Sequence, residues 1–280
     1  MKNNLRSYYG IFALPTTLIF TAVFLIPFIL GIYLSFCEFT TVSDSTFTGA
    51  ENYIRAFSDE NFRNALWFTV KFTLVSVVSI NIIAFALALL LTNKIKGTNF
   101  FRTVFFMPNL IGGIVLGYIW QLIINGILST IGVTITYDPS YGFWGLVILM
   151  NWQMIGYMMI IYIAGIGNIP KDLIDAAKVD GASAFGILRH VTIPMVMPAV
   201  TICLFLTITN AFKLFDANLA LTDGAPSRQT SMLALDIYKT FYGSVGSQGI
   251  GQAKAVIFFI LLAVIALIQL SITRKREVEA

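Results

Sequence analysis

Charge is scarce in this sequence. Only 11% of its 280 residues are Asp, Glu, Lys or Arg, against about 25% in a soluble domain. Histidine occurs once, at His190, which excludes a multi-histidine metal site. The two cysteines, Cys37 and Cys203, stand far apart with no His or Cys at ligand spacing, so both read as packing residues. No G-x-x-x-x-G-K-[ST] run occurs, and the chain therefore has no phosphate-cradling loop of its own. "GSQGIGQAK" (Gly246 to Lys254) is glycine-rich without that spacing, and it reads as a flexible loop. No Ser-His-Asp, metal-ligand or carboxylate-pair constellation is present, which argues against a membrane enzyme. The basic residues do not gather along one face, which argues against nucleic-acid binding.

Apolar residues make up the balance, 57% of the chain, and they fall in long runs. A spanning helix needs about 20 of them in succession. Six segments qualify: about 11–36, 65–92, 103–125, 142–167, 194–218 and 253–273. The run at 11–36 exceeds the roughly 7–15 apolar residues of a signal-peptide core, so it is read as the first span. The fold class expected is an all-α integral membrane protein of six helices, forming a single domain over 1–280.

Lys and Arg set the orientation. Eleven lie on one side: Lys2, Arg6, Lys94, Lys96, Arg102, Lys171, Lys178, Arg189, Arg274, Lys275 and Arg276. Five lie on the other: Arg55, Arg63, Arg228, Lys239 and Lys254. The first side is expected to be cytoplasmic, with both termini inside. The acidic segment 37–64 and the long loop 219–252 then lie outside, and the polar loop 168–193 lies inside.

Polar residues at membrane depth are costly, roughly 2.5–3.5 kcal/mol for an ionisable one, and so they mark candidate function. Lys213 and Asp216 stand at i,i+3 in the fifth segment, near its outer end, where they either pair with each other or line a pathway. Lys71 is expected to snorkel to the interface. Asn151, Gln153 and Tyr157 in the fourth segment and Asn210 in the fifth add amides and an aromatic, with Trp120, Gln121 and Trp152 nearby. This mixture suits a sugar path, because amides match hydroxyls and aromatic faces match sugar rings. It equally suits hydrogen bonding between helices. No arginine sits deep in a span, which favours a neutral solute. Gly113 and Gly117 give a G-x-x-x-G spacing, read either as close packing within the chain or as a subunit interface.

The loop between the fourth and fifth spans reads "DAAKVDGASAFGILRHVTIP", from Asp175 to Pro194. Pro170 suits a first helical position. Asp172 and Asp175 suit the positive end of a helix dipole. Leu173 and Ala177 share a face, Gly181 interrupts, and Phe185, Leu188 and Arg189 resume a helical pattern before Pro194 opens the fifth span. The result is a pair of short helices, read either as an amphipathic loop at the lipid headgroups or as an element passing force between a cytoplasmic partner and the bundle.

The spacing here resembles the EAA loop of binding-protein-dependent ABC transporter permeases: Glu-Ala-Ala, three residues, Gly, nine residues, Ile-x-Leu-Pro. This chain has Asp175-Ala176-Ala177, three residues, Gly181, nine residues, then Val191-Thr192-Ile193-Pro194. Further segments are similar to the sugar permease branch: "SYYGIFALPTTLIF", "FTGAENYIRAF", "KGTNFFRTVFFMPNLIGGIVLGYIW" and "FKLFDANLALTDGAP". In the last, Ala225 replaces the second glycine of the usual Thr-x-Gly-Gly-Pro.

The resemblance implies the type I ABC importer fold and half of a translocation path in a bacterial or archaeal cell membrane. It implies that Asp175, Ala176, Ala177, Gly181, Phe185 and Pro194 couple the chain to a cytoplasmic ATPase. Two such ATPase subunits would bind ATP and Mg, with no cofactor on this chain. A second permease subunit, a different chain, and an extracytoplasmic solute-binding protein complete the implied assembly within the lipid. The implied cargo is a sugar or oligosaccharide. A glycerol phosphate or a polyamine is the alternative cargo, and a self-sufficient secondary transporter is the alternative class.

Overall fold

The computed structural model describes residues 2–93 and 96–275. Lys94 and Arg276, counted above among the basic residues, lie outside the described residues. Five helices are long and apolar enough to cross a membrane, and a sixth arises if one pair bent by 68° counts as a single span.

The chain divides into two compact units. The first comprises Met1–Phe62 and Ile237–Phe259. Helix α1 (Lys2–Phe20) passes through a π turn, Thr21–Leu25, into α2 (Ile26–Leu34). A short antiparallel hairpin, β1 (Cys37–Glu38) with β2 (Thr46–Phe47), follows in the register Cys37 to Phe47. Helix α3 (Glu51–Ser58) is anchored by the buried Asn52, whose amide donates to the carbonyls of Ser35 (3.1 Å) and Cys37 (2.8 Å). That closes backbone groups which the two-residue strands leave unpaired.

The second unit comprises Arg63–Asp236 and Ile260–Ala280. It holds most of α4 (Glu60–Thr92), then α5 (Thr98–Phe106), α6 (Gly113–Leu128), α7 (Pro139–Gly167), α8 (Lys171–Val179), α9 (Ala184–Ile187), α10 (Ile193–Met195), α11 (Met197–Phe212) and α12 (Asp216–Leu221). Helix α13 (Leu233–Gly243) and helix α14 (Gln248–Arg274) each pass from one unit to the other.

At the centre of the second unit is α7, capped by Asp138, whose carboxylate accepts from the Ser140 amide at 2.8 Å. Its small residues admit neighbours closely. A Cβ on Gly156 would overlap the Phe105 carbonyl of α5, and one on Gly165 would lie 2.7 Å from Ala199 of α11. A buried polar chain crosses the same bundle. The Tyr162 hydroxyl donates to Asn81 Oδ1 (2.7 Å), and Asn81 Nδ2 donates to Thr207 Oγ1 (3.0 Å), tying α7, α4 and α11 together. Cys203 is a buried free thiol in this core.

Three of the six expected spans fall within single long helices, and the first runs through α1, the π turn and α2 to end at Leu34. The third and fifth do not end where hydropathy puts them. Pro108 sits in a 3-10 turn, Met107–Leu110, and the chain turns again at Gly112, so 103–125 is two helices with a break. The fifth span bends at Val196, two residues after Pro194, and α11 stops at Phe212. Residues 216–221 form the separate helix α12, which packs on α6. A Cβ on Gly113 would stand 2.8 Å from Asp216 Cβ, and one on Gly117 2.6 Å from Ala220 Cβ. The G-x-x-x-G pair therefore serves packing within the chain.

The expected flexible loop at 246–254 is also different. Gln248 to Lys254 form the first two turns of α14. A Cβ on Gly249 would overlap the Cys37 carbonyl, and one on Gly251 would lie 2.9 Å from the Phe241 backbone. These glycines permit close helix contact. Lys254, placed outside with the loop lysines, is fully buried. Its ammonium binds Asp59 Oδ2 (2.6 Å) and Thr240 Oγ1 (2.7 Å) and lies 5.3 Å from the Phe62 ring centroid.

Candidate functional site

Two places carry the residues singled out by the sequence. The first is the 175–194 stretch. Pro170 is the N-cap of α8, one position earlier than expected, and Asp172 occupies the first turn. The helix ends in a Schellman motif: the Gly181 N–H donates to the Lys178 carbonyl (3.0 Å), and the Ala182 N–H donates to the Ala177 carbonyl (2.9 Å). Gly181 has φ +76°, and a Cβ there would meet nothing within 4 Å. Backbone conformation, and not space, requires this glycine. The Ser183 side chain then caps α9, accepting from the Gly186 N–H at 3.2 Å.

The element has two faces. Ile174 and Val191 pack against the bundle core, so the inward face of α8 runs through Ile174 rather than through Leu173. Leu173, Val179 (87% exposed) and Phe185 (69% exposed) point outward. Asp175 forms an exposed ion pair with Lys178 at 2.9 Å. Ala176 is exposed and Ala177 half-buried. Pro194 sits half-buried in α10, just before the bend.

The second place is a cavity of about 300 Å³ beside the midpoint of α7. Gln153, Asn210, Lys213 and Asp216 all line it, joined by Asn109, Met150, Met154 and Phe215. Lys213 and Asp216 were expected near the outer end of one continuous helix. The stop at Phe212 places Lys213 instead on the turn after α11 and Asp216 at the start of α12, both lining a cavity at the middle of α7. Both are exposed to the cavity, and no ion pair joins them among the described residues. The Gln153 amide makes only a long contact, 3.4 Å, to the Ile111 carbonyl. Asn210 donates to the Leu206 carbonyl (2.8 Å), which leaves its amide oxygen for a ligand.

Asn151 and Tyr157 do not line this cavity. Asn151 donates to the Val147 carbonyl at 2.8 Å, and Tyr157 packs its ring against Phe106. Asn151 is one residue off the cavity-facing Met150, and Tyr157 lies one turn beyond Gln153. Asn109 was missed because it lies in the 3-10 turn, inside what reads as an unbroken span. Trp120 and Trp152 meet edge to face at 5.7 Å, and Gln121 donates to the Leu221 carbonyl at the end of α12 (2.9 Å). Both contacts are structural.

Residues 80–278 match the family of binding-protein-dependent transport system inner membrane components. The chain belongs to this family. The match takes in α8, the Gly181 turn and the cavity. The permease is 46% identical over 97% of its length to the probable starch degradation products transport system permease protein of Thermoanaerobacterium thermosulfurigenes, of which 96% is covered. It is 30% identical to the trehalose/maltose transport system permease protein of Thermococcus litoralis, over 86% of this chain and 84% of that one. A crystal structure of a bacterial ABC transporter involved in alginate import superposes with a TM-score of 0.83 at 20% identity, covering 98% of both chains. That likeness is one of fold. The permease is a multi-pass inner membrane component of an ABC importer.

The "TDGAP" turn carries Ala225 where the resembled pattern has its second glycine. Asn218 holds it from within, donating to Thr222 Oγ1 (3.1 Å) and the Thr230 carbonyl (2.9 Å) and accepting from the Met232 N–H (2.9 Å). Gly224 has φ +79°, and a Cβ there would overlap Ser231 Oγ. Ala225 is not among the positive-φ residues. A side chain is therefore tolerated at the second position and not at the first.

Proposed function

We propose that the permease forms half of the path for a sugar or oligosaccharide and draws its energy from a cytoplasmic ATPase through 175–194. The observation that carries this reading is the central cavity. It sets three amides, a cation and a carboxylate from the Met107–Leu110 turn, α7, α11, the α11–α12 turn and the start of α12 around one space. Amides both donate and accept, as hydroxyls do. Relatives named for starch degradation products, trehalose, maltose and arabinooligosaccharides support a saccharide cargo.

In this reading the outward apolar residues Leu173, Val179 and Phe185 enter a groove of the ATPase. Asp175, exposed beside Lys178, meets a cation or donor there. Gly181 sets the angle between the two short helices. Closure of an ATPase pair pushes α8 and α9, and the bend at Val196 carries the motion into α11 and the cavity-lining turn. ATP and Mg bind the ATPase subunits, and a second permease supplies the other half of the path. A solute-binding protein delivers cargo at 37–64 and 219–252, which the Lys and Arg count reads as outside.

The test is ATP-driven saccharide uptake in proteoliposomes holding the assembled importer. Gly181→Pro, which cannot adopt φ +76°, and Asp175→Lys should each leave ATP hydrolysis running while uptake falls. Asp216→Asn and Gln153→Ala should reduce uptake without loss of the ATPase subunits from the complex. Normal uptake in both loop variants would remove the coupling role.

A further inference from the structure

We infer a second saccharide subsite at the far end of α7, built from α4, the first turn of α7 and the 226–229 turn. It rests on the sugar reading above. The space is a cavity of about 510 Å³ lined by Asn64, Trp67, Phe68, Lys71, Pro139, Ser140, Phe143 and Gln229. That volume lies within the range of small-ligand sites.

Three observations point to a sugar ring. First, Trp67 is 61% exposed, a large flat surface for the apolar face of a pyranose. It is held in place by Lys71, whose ammonium stands 5.3 Å from the ring centroid. Phe68 and Phe143 meet edge to face at 5.7 Å and form the floor. Second, Asn64 and Gln229 line the space, and neither side-chain amide has a hydrogen-bond partner among the described residues. Each offers a donor and an acceptor, which is the pattern of a hydroxyl and not of a phosphate, which only accepts. The Ser140 hydroxyl donates to Asp138, so its lone pairs are left to accept. No carboxylate lines the cavity. Third, the subsite shares a face of α7 with the central cavity. Phe143, Val147, Met150 and Met154 follow the i, i+4, i+7, i+11 stripe, with Phe143 in the outer cavity and Met150 and Met154 in the central one. Ser140 and Gln153 are thirteen residues apart, about 20 Å along the helix. Leu146 and Val147, both buried, close the interval. The outer subsite would hold a sugar unit on the binding-protein side while the central cavity is shut.

The experiment uses the purified importer complex. Whichever of maltotriose, trehalose and arabinotriose the parent takes up serves as the probe. The permease is prepared with Trp67 as its only tryptophan (W120F, W144F, W152F), and emission is followed as the saccharide is added without binding protein. A saturable change is expected. It should persist in Gln153→Ala, and it should weaken roughly 2- to 10-fold in Asn64→Ala and in Gln229→Ala, the worth of one neutral hydrogen bond. A readout that needs no substitution is acylation of lysines in the parent. Saccharide should slow the reaction of Lys71 and leave that of Lys178 unchanged. No emission change and no protection of Lys71, with uptake intact, would overturn the subsite alone. A response only to phosphatidylglycerol vesicles would make it a lipid headgroup site, and a response only to the binding protein would make it a docking surface. Either overturns the inference. Uptake of none of the three saccharides by the parent would overturn the sugar reading and the subsite with it.

Discussion

Phe12–Leu34 and α7 both satisfy the length and hydropathy of a membrane span, yet they do different work. In the most apolar 18-residue window of each, 6% of residues are buried in the first and 56% in the second. The first presents Phe12, Leu18, Val23, Ile26 and Ile29 outward. The second is laced with Gly142, Gly145, Gly156 and Gly165 and with buried Met150, Met154, Met158 and Met159. Lipid is as apolar as leucine, so hydrophobicity cannot draw helices together there; small residues and shared hydrogen bonds do. A buried span is marked by glycine and by polar residues, and an exposed one by large apolar side chains.

The largest blow to this contrast should come from Gly156→Leu. The new side chain collides with the α5 backbone, which cannot rotate away, so overpacking should exceed the usual 1–3 kcal/mol. No monodisperse permease should survive size-exclusion chromatography. Lys254→Met tests the opposite case, a charge buried in α14, whose apolar window is only 6% buried. It removes the cation from the Asp59 carboxylate, which keeps the Asn61 N–H at 2.9 Å, and should cost about 3 kcal/mol, the low end for a broken buried pair because Asp59 keeps 29% exposure. The readout is a lowered detergent melting temperature, restored in part by pairing it with Asp59→Asn. Tyr162→Phe deletes the donor to Asn81 and should cost about 1 kcal/mol by the same melt. Phe24→Leu, on the lipid-facing segment, should stay within about 0.5 kcal/mol. A Phe24 effect as large as that of Tyr162 would erase the distinction between the two regions.

Much of this was legible in the sequence. Four spans are visible because α1–α2, α4, α7 and α14 carry long, predominantly apolar runs. The 175–194 stretch is legible because one residue, Gly181, must adopt φ +76° at a fixed distance from Asp175 and Pro194. The breaks are not. Hydropathy averages across Pro108–Gly112 and across Lys213–Phe215, where the residues stay apolar enough to hide a turn. This displaced Asn109 from view and set Lys213 and Asp216 near the outer end instead of at the level of Gln153. Glycines misled in one place. Gly249 and Gly251 suggest a loop by composition, but they allow α14 to approach Cys37 and Phe241. Lys254 followed them into the wrong class, since nothing in its local sequence reveals Asp59, 195 residues away.

The most direct measurement is to solubilise the permease from its native membrane, identify what co-purifies, and compare uptake by the recovered complex with uptake by the permease alone. The expected result is recovery of a Walker-loop ATPase, a second permease and a binding protein, with saccharide uptake that requires ATP and all of them. Recovery of the permease alone, still moving solute after reconstitution, would contradict the central claim and return 175–194 to an amphipathic loop lying at the lipid headgroups.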